Sequence, residues 1–116
     1  MEKLRLKYSA SSIDDIEQTR KLPIENCISD TSISMLCLFL QKGLIDDNGV
    51  HGVSKSVAMS TIDKYLEESD KDNLVFDIME ALVDGGFLSR QLDIANLRQV
   101  NDKRMSKAKE TLTNAI

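Results

Sequence analysis

The N-terminal segment of this chain changes from the period of a β-strand to the period of an α-helix within a few residues. Charged and apolar residues alternate from Lys3 to Tyr8, which places Leu4, Leu6 and Tyr8 on one face of an extended segment. Ser12 follows as a candidate N-cap, and isoleucines recur behind it at helical spacing. The sequence therefore predicts a short N-terminal β-strand or hairpin that leads directly into a capped helix.

The predicted strand needs a partner. A single strand leaves its backbone N–H and C=O groups unpaired, so it must pair within the chain or with a second copy of it. No other segment shows a comparable alternation of apolar and polar residues. We therefore predict a homo-oligomer in which Leu4, Leu6 and Tyr8 lie at a self-association contact.

Proline, glycine and capping residues divide the rest of the chain into helices. The predicted helices are a first one from Ser12 to Arg20, a short one over Pro23–Ile28, a third over Thr31–Lys42, a fourth from its cap Ser54 to Glu68, and a fifth from a cap at Ser69 or Asp70 to Asp84. Gly43 and the pair Gly85–Gly86 are placed to end two of them. The predicted fold is mainly α, a small bundle of four to five helices with the short N-terminal strand or hairpin.

The apolar pattern also predicts which faces are buried. The segment Thr31–Lys42 is apolar on most sides, which is typical of a central core helix. In the next long helix the residues predicted to face inwards are Val57, Ala58, Ile62, Tyr65 and Leu66.

Charge divides the chain into two parts. Residues 1–88 carry 9 lysines and arginines against 16 acidic residues, whereas residues 89–116 carry 6 against 3. We expect a helical domain with its N-terminal strand over residues 1–88, followed by a basic, partly mobile C-terminal helix or tail over residues 89–116. The tail is suited to an acidic partner or to the acidic body of its own chain.

Composition points to a cytoplasmic protein. The longest apolar run, Met35–Leu40, has six residues, far short of the roughly 20 that span a bilayer. The N-terminus has no apolar run of the kind found in signal peptides. Cys27 and Cys37 are therefore expected to be reduced thiols packed as small apolar groups.

The sequence offers little for catalysis or for a metal or cofactor. His51 is the only histidine, and Cys37 lies in the most apolar helix, where burial opposes thiolate formation. There is no cysteine–histidine metal spacing and no phosphate-binding glycine motif. The acidic turn at Asp46–Asp47 lacks the carboxylate spacing of a calcium loop. We expect no enzyme activity, no metal and no cofactor.

A small regulatory DNA-binding protein is the alternative. The helices that begin near Ser54 and Asp70 are arranged in sequence like a helix-turn-helix. The second of them carries Asp77, Glu80 and Asp84, which would repel phosphates. The basic tail has no aromatic residue for stacking on bases. We therefore expect no binding to nucleic acid.

Residues 3–88 resemble the tail assembly chaperones of long-tailed bacteriophages, in the order and spacing of several short segments. That family opens with a short strand and an acidic helix, continues with an Asn-Pro-Leu-like turn and an Asp-x-Tyr-Leu-Glu-Glu segment, and closes with a final helix and stop. The matching segments here are Leu4–Ala10, Ile13–Glu17, Leu22–Ile24, Ile62–Glu68, Asp77–Leu82 and Gly86–Leu88.

The resemblance implies a non-enzymatic assembly factor in the host bacterial cytoplasm. Proteins of this family bind the tape measure protein and recruit tail tube protein subunits to it. Such a role implies exposed apolar surface for a client and enough net charge to keep the complex in solution. We therefore expect an exposed apolar patch, or a multimer with an apolar groove.

Overall fold

The computed structural model of the protein describes residues 4–45, 49 and 51–88. The described part of the chain forms five helices and no β-sheet, so the predicted mainly α-helical class is confirmed. The helices are α1 (Ala10–Arg20), α2 (Ile24–Cys27), α3 (Ile33–Gly43), α4 (Lys55–Glu68) and α5 (Lys71–Asp84). Outside the described residues lie the predicted basic tail 89–116 and the acidic turn residues Asp46 and Asp47.

Side-chain caps fix where three of the helices begin. Ser32, Ser54 and Asp70 each accept a hydrogen bond from the backbone N–H three residues later, which satisfies a donor that has no partner within the helix. The caps predicted at Ser54 and Asp70 are confirmed. Because such caps depend on local sequence alone, the starts of these helices are readable without knowledge of the tertiary structure.

Helix α1 begins earlier than predicted. Its N-cap is Ser9, whose hydroxyl oxygen accepts a hydrogen bond from the N–H of Ser12, so Ser12 lies inside the first turn. Serine is an acceptable cap at position 9 or 12, and the burial of Tyr8 just before Ser9 favours the earlier start. Tyr8 is buried, and the chain turns into the helix immediately after it.

The break between α1 and α2 is built by a contact across the turn. A carboxylate oxygen of Glu17 accepts a 2.8 Å hydrogen bond from the N–H of Ile24, the first residue of α2. Lys21 ends α1 in the left-handed conformation with φ 56°, and Pro23 is the N-cap residue of α2. The predicted interruption at Pro23 and the short helix behind it are therefore confirmed.

Helix α3 is the centre of the core, as predicted. It contacts both α1 and α4. Six of its 11 residues are buried, namely Met35, Leu36, Cys37, Phe39, Leu40 and Gly43. Helix α5 contributes Leu74, Val75, Ile78 and Leu82 to the same cluster.

Helix α5 ends at the predicted glycine pair. Gly86 adopts a positive φ of 83°, which a residue with a side chain rarely tolerates. The N–H of Phe87 then donates a 2.8 Å hydrogen bond back to the carbonyl of Leu82. Phe87 and Leu88 pack against the core, as the sequence predicted.

Two of the residues predicted to face inwards from α4 do not. Val57 is 48% exposed and Leu66 is 37% exposed, whereas Ala58, Ile62 and Tyr65 are buried. The buried residues follow one another at steps of four and three residues, so they form one narrow face of α4. The apolar face that the sequence predicts for α4 is therefore wider than the face that the fold buries.

The predicted N-terminal β-strand is not supported. The segment Leu4–Tyr8 is extended, but it forms one isolated antiparallel bridge, between Leu6 and Leu44, and no strand. The reason lies in its partner. Leu44 follows directly on Gly43, the last residue of α3, and Ile45 forms a bridge of its own with His51, so Leu6 has one bridge partner.

Candidate functional site

The best-defined candidate site is the extended segment Leu4–Tyr8 where it meets the end of α3. The N–H of Lys7 donates a 2.9 Å hydrogen bond to the carbonyl of Gly43, and the N–H of Ile45 donates a 3.0 Å hydrogen bond to the carbonyl of Arg5. These two bonds flank Leu6 on one edge of the segment. They tie the segment to the helical body through its backbone.

The opposite edge of the segment is open. Backbone groups of an extended chain point alternately to its two edges, so the N–H and C=O of Leu6 point away from Leu44. Within the described part of the chain, neither group has a hydrogen-bond partner. An unpaired edge of this kind is able to receive another extended chain.

The apolar side chains of this segment belong to the core of their own chain. Tyr8 is 5% exposed, and Leu4 and Leu6 are half-buried against the core cluster. Burial raises the pKa of the Tyr8 phenol, and its hydroxyl group donates a hydrogen bond to the backbone carbonyl of Phe39. The structure therefore brings the three predicted residues together on an inward face, and self-association through them stays a prediction.

Arg5 and Lys7 belong to this candidate site but were not among its predicted residues. Both side chains are exposed and flank Leu6 on the outer face of the segment. The sequence does contain a signal for them, because the same alternation that turns the leucines inwards turns the charged residues outwards.

A groove of about 360 Å³ runs beside this segment. Four consecutive residues, from Arg5 to Tyr8, line it together with Ile45 and the end of α5 at Ala81, Asp84 and Gly85. Since successive side chains of an extended segment alternate, a groove that touches four in a row follows the backbone. The groove therefore lies along the N-terminal segment and is not a closed pocket for a small molecule.

Exposed apolar residues elsewhere are dispersed. In the described part of the chain, the large ones are Leu22, Ile33, Val57 and Leu66. Val57 and Leu66 are nine residues apart on α4, which places them on opposite sides of the helix. The structure does not bring these four residues into one patch, and singly exposed apolar residues are common on protein surfaces.

The groups considered for catalysis do not converge. His51 is exposed and lines a shallow polar depression of about 430 Å³ beside the Asp15–Lys42 ion pair, whose N–O distance is 3.6 Å. Cys37 is buried in α3 and borders a different groove. Cys27 is buried as well, and desolvation raises the pKa of its thiol. Both thiols are placed as small apolar groups of the core.

The net charge of the described chain lies on its C-terminal helices. Residues 63–84 carry eight acidic residues and only Lys64 and Lys71 as basic ones. Helix α5 would be the second helix of the helix-turn-helix in the DNA-binding alternative, and Lys71 is its only basic residue. A surface of this sign repels the phosphates of DNA.

Comparison of the chain with protein-family models, with curated proteins and with solved structures finds no match. Among the described residues, no three histidine, cysteine or acidic side chains come together as a group suited to a metal ion. The helices of the described region are also too short or too polar to cross a bilayer.

Proposed function

We propose that this protein is a phage tail assembly chaperone, a non-enzymatic factor that binds the tape measure protein and recruits tail tube subunits. It acts in the cytoplasm of the host bacterium. The role requires a surface that receives another polypeptide, and no acid–base or nucleophilic centre.

The observation that carries this proposal is where the family-like segments lie in the fold. Ile13–Glu17 lies inside α1, and Leu22–Ile24 forms the break before α2. Ile62–Glu68 forms the last turns of α4, while Gly86–Leu88 forms the stop after α5. These four segments keep the order of the structural elements, whereas Leu4–Ala10, which matches the family's opening strand, is extended and forms only one isolated bridge.

The open backbone edge at Leu6 supports a protein-binding role independently of the resemblance. It offers a hydrogen-bond donor and an acceptor to an extended client, beside a groove of about 360 Å³. The dispersed apolar residues Leu22, Ile33, Val57 and Leu66 add local contacts for a longer client. Binding that uses backbone groups tolerates variation in client sequence, as a chaperone needs.

Co-expression with a fragment of a tape measure protein tests the proposal. We expect the fragment to remain in the soluble fraction and to co-purify with this chain. The control is the same fragment expressed with an unrelated acidic helical protein of similar size, which should leave it insoluble. A fragment that stays insoluble with both partners would contradict the proposal.

The DNA-binding alternative has its own test. Because α5 and the end of α4 are acidic, we expect no binding to duplex DNA even at low ionic strength. A titration that shows binding which weakens as salt increases would favour the alternative.

A further inference from the structure

We propose that the open edge of Leu6 binds an extended segment of a partner protein in which an apolar residue lies between two acidic residues. The inference deepens the proposed protein-binding function, on which it rests, by naming where the client lies and what chemistry it has.

The backbone geometry selects how the client pairs. The bonds from Lys7 to Gly43 and from Ile45 to Arg5 occupy one edge, so the N–H and C=O of Leu6 remain for an incoming chain. In an antiparallel pairing, one client residue lies opposite Leu6 and exchanges both backbone hydrogen bonds with it. The neighbours of that client residue then lie opposite Arg5 and Lys7.

The side chains select the client's composition. Residues opposite each other in a pair of strands point to the same face. Leu6 is half-buried on the inner face, so its counterpart is apolar. Arg5 and Lys7 are exposed on the outer face, so their counterparts are acidic. The matching pattern is therefore acidic, apolar, acidic.

A second copy of this chain fits the edge poorly. If two copies paired about Leu6, Arg5 of each would lie opposite Lys7 of the other, and like charges directly opposite one another destabilise a pair of strands. The same charges that favour an acidic client therefore oppose self-pairing here. Among the described residues that line the groove, Asp84 is the only acidic one, so with Arg5 and Lys7 they carry one net positive charge.

Amide hydrogen exchange of the full-length, isotope-labelled protein tests this inference directly. The test ligand is a short peptide of alternating glutamate and valine, and its counterpart alternates lysine and valine. We expect the glutamate peptide to slow exchange of the Leu6 amide by about tenfold or more, because the amide gains a hydrogen bond. The Lys7 amide, already bonded to Gly43, should change little.

Charge reversal provides the matched comparison. The double variant Arg5→Glu with Lys7→Glu should bind the glutamate peptide about tenfold more weakly, since two cross-strand charge pairs become repulsive. It should bind the lysine peptide better instead. The control, Lys55→Glu with Lys64→Glu, makes the same change in net charge on the exposed side of α4 and should leave binding within about twofold.

Three results would overturn the inference: no binding of the glutamate peptide, equal binding of the lysine peptide, or binding that leaves Leu6 exchange unchanged. Protection of Leu6 that grows with protein concentration in the absence of peptide would also overturn it, in favour of a second copy. The two proposals fail separately. If Leu6 is protected but tape measure fragments do not co-purify, the phage role is wrong and the edge stands. If tape measure fragments co-purify but the exchange of the Leu6 amide is unchanged, the phage role stands and the inference about the Leu6 edge is wrong.

Discussion

The hydroxyl group of Tyr8 donates a 2.8 Å hydrogen bond to the backbone carbonyl of Phe39, which lies 31 residues further along the chain. The two rings also meet edge to face, with their centroids 6.2 Å apart. Tyr8 is 5% exposed and Phe39 is completely buried. This contact fixes the N-terminal segment on α3, and it thereby determines which edge of the segment is covered and which is open.

Removing the hydroxyl group of Tyr8 should weaken this attachment. We expect Tyr8→Phe to lower the free energy of unfolding by about 1 kcal/mol, the usual net value of a hydrogen bond of this kind. Tyr8→Ala should cost about 3–5 kcal/mol because it also empties the ring's place in the core. Urea denaturation measures both changes. Equal stability of Tyr8→Phe and the wild type would show that the bond contributes nothing.

Gly43 should be sensitive to any added side chain because of the same tyrosine. A Cβ atom at this position would lie 2.6 Å from the Tyr8 hydroxyl oxygen, and the buried ring has little room to move. We expect Gly43→Ala to destabilise the protein by about 1–3 kcal/mol through overpacking.

A double-mutant cycle isolates this cause. In a Tyr8→Ala background the ring is gone, and alanine should be neutral or stabilising by up to about 1 kcal/mol because it favours the helix more than glycine does. If Gly43→Ala has the same cost in both backgrounds, the clash with Tyr8 is not its source.

These two residues also show what the sequence could and could not predict. The alternation around Leu6 correctly placed Tyr8 on the core side, because that inference needs only the period of an extended chain. The predicted strand is not supported, because its pairing depends on residues far along the chain, and Leu6 finds a single bridge partner in Leu44. The position of Gly43 against Tyr8 depends on tertiary packing and has no local signal.

The same distinction holds for the helices. Caps such as Ser54 and Asp70 were predictable, because a cap is satisfied within four residues of sequence. The exposure of Val57 and Leu66 was not, because periodicity shows that a helix has an apolar face but not how much of it a neighbour covers. For the candidate site, the sequence located the segment but not the open edge, which is defined by the bonds that Lys7 and Arg5 make.

Asp30 should make stability depend on pH in acid. The Ser32 N–H donates a 2.9 Å hydrogen bond to its carboxylate and holds the pKa of Asp30 below its usual value. The folded state then binds fewer protons than the unfolded state. The resulting stabilisation is complete above the unfolded pKa of about 4 and is lost as the pH falls through the lower folded value.

Thermal denaturation over an acidic pH series measures this effect. Asp30→Asn has no carboxyl group to protonate, so its stability should fall less steeply than that of the wild type below about pH 4. Identical slopes for the two proteins would mean that the bond to Ser32 does not shift the titration of Asp30.

The two thiols should be unreactive while the protein is folded. Cys27 and Cys37 are 1% and 2% exposed, so a reagent in solution reaches neither sulfur atom, and burial also raises the pKa of the Cys27 thiol. We expect a small alkylating reagent to modify both only at the rate of unfolding, with full modification in denaturant. Rapid alkylation of Cys37 in the native protein would contradict this expectation and would favour a nucleophilic site at Cys37.

The central structural claim is that the N-terminal segment has one bonded edge and one open edge. Amide hydrogen exchange of the free protein tests it at single residues. The Lys7 and Ile45 amides, which donate to the carbonyls of Gly43 and Arg5, should exchange slowly, while the Leu6 amide between them should exchange at nearly the rate of an unfolded chain. Protection of Leu6 equal to that of Lys7 in the monomeric protein would contradict the account, because the edge proposed to receive a client would already be occupied.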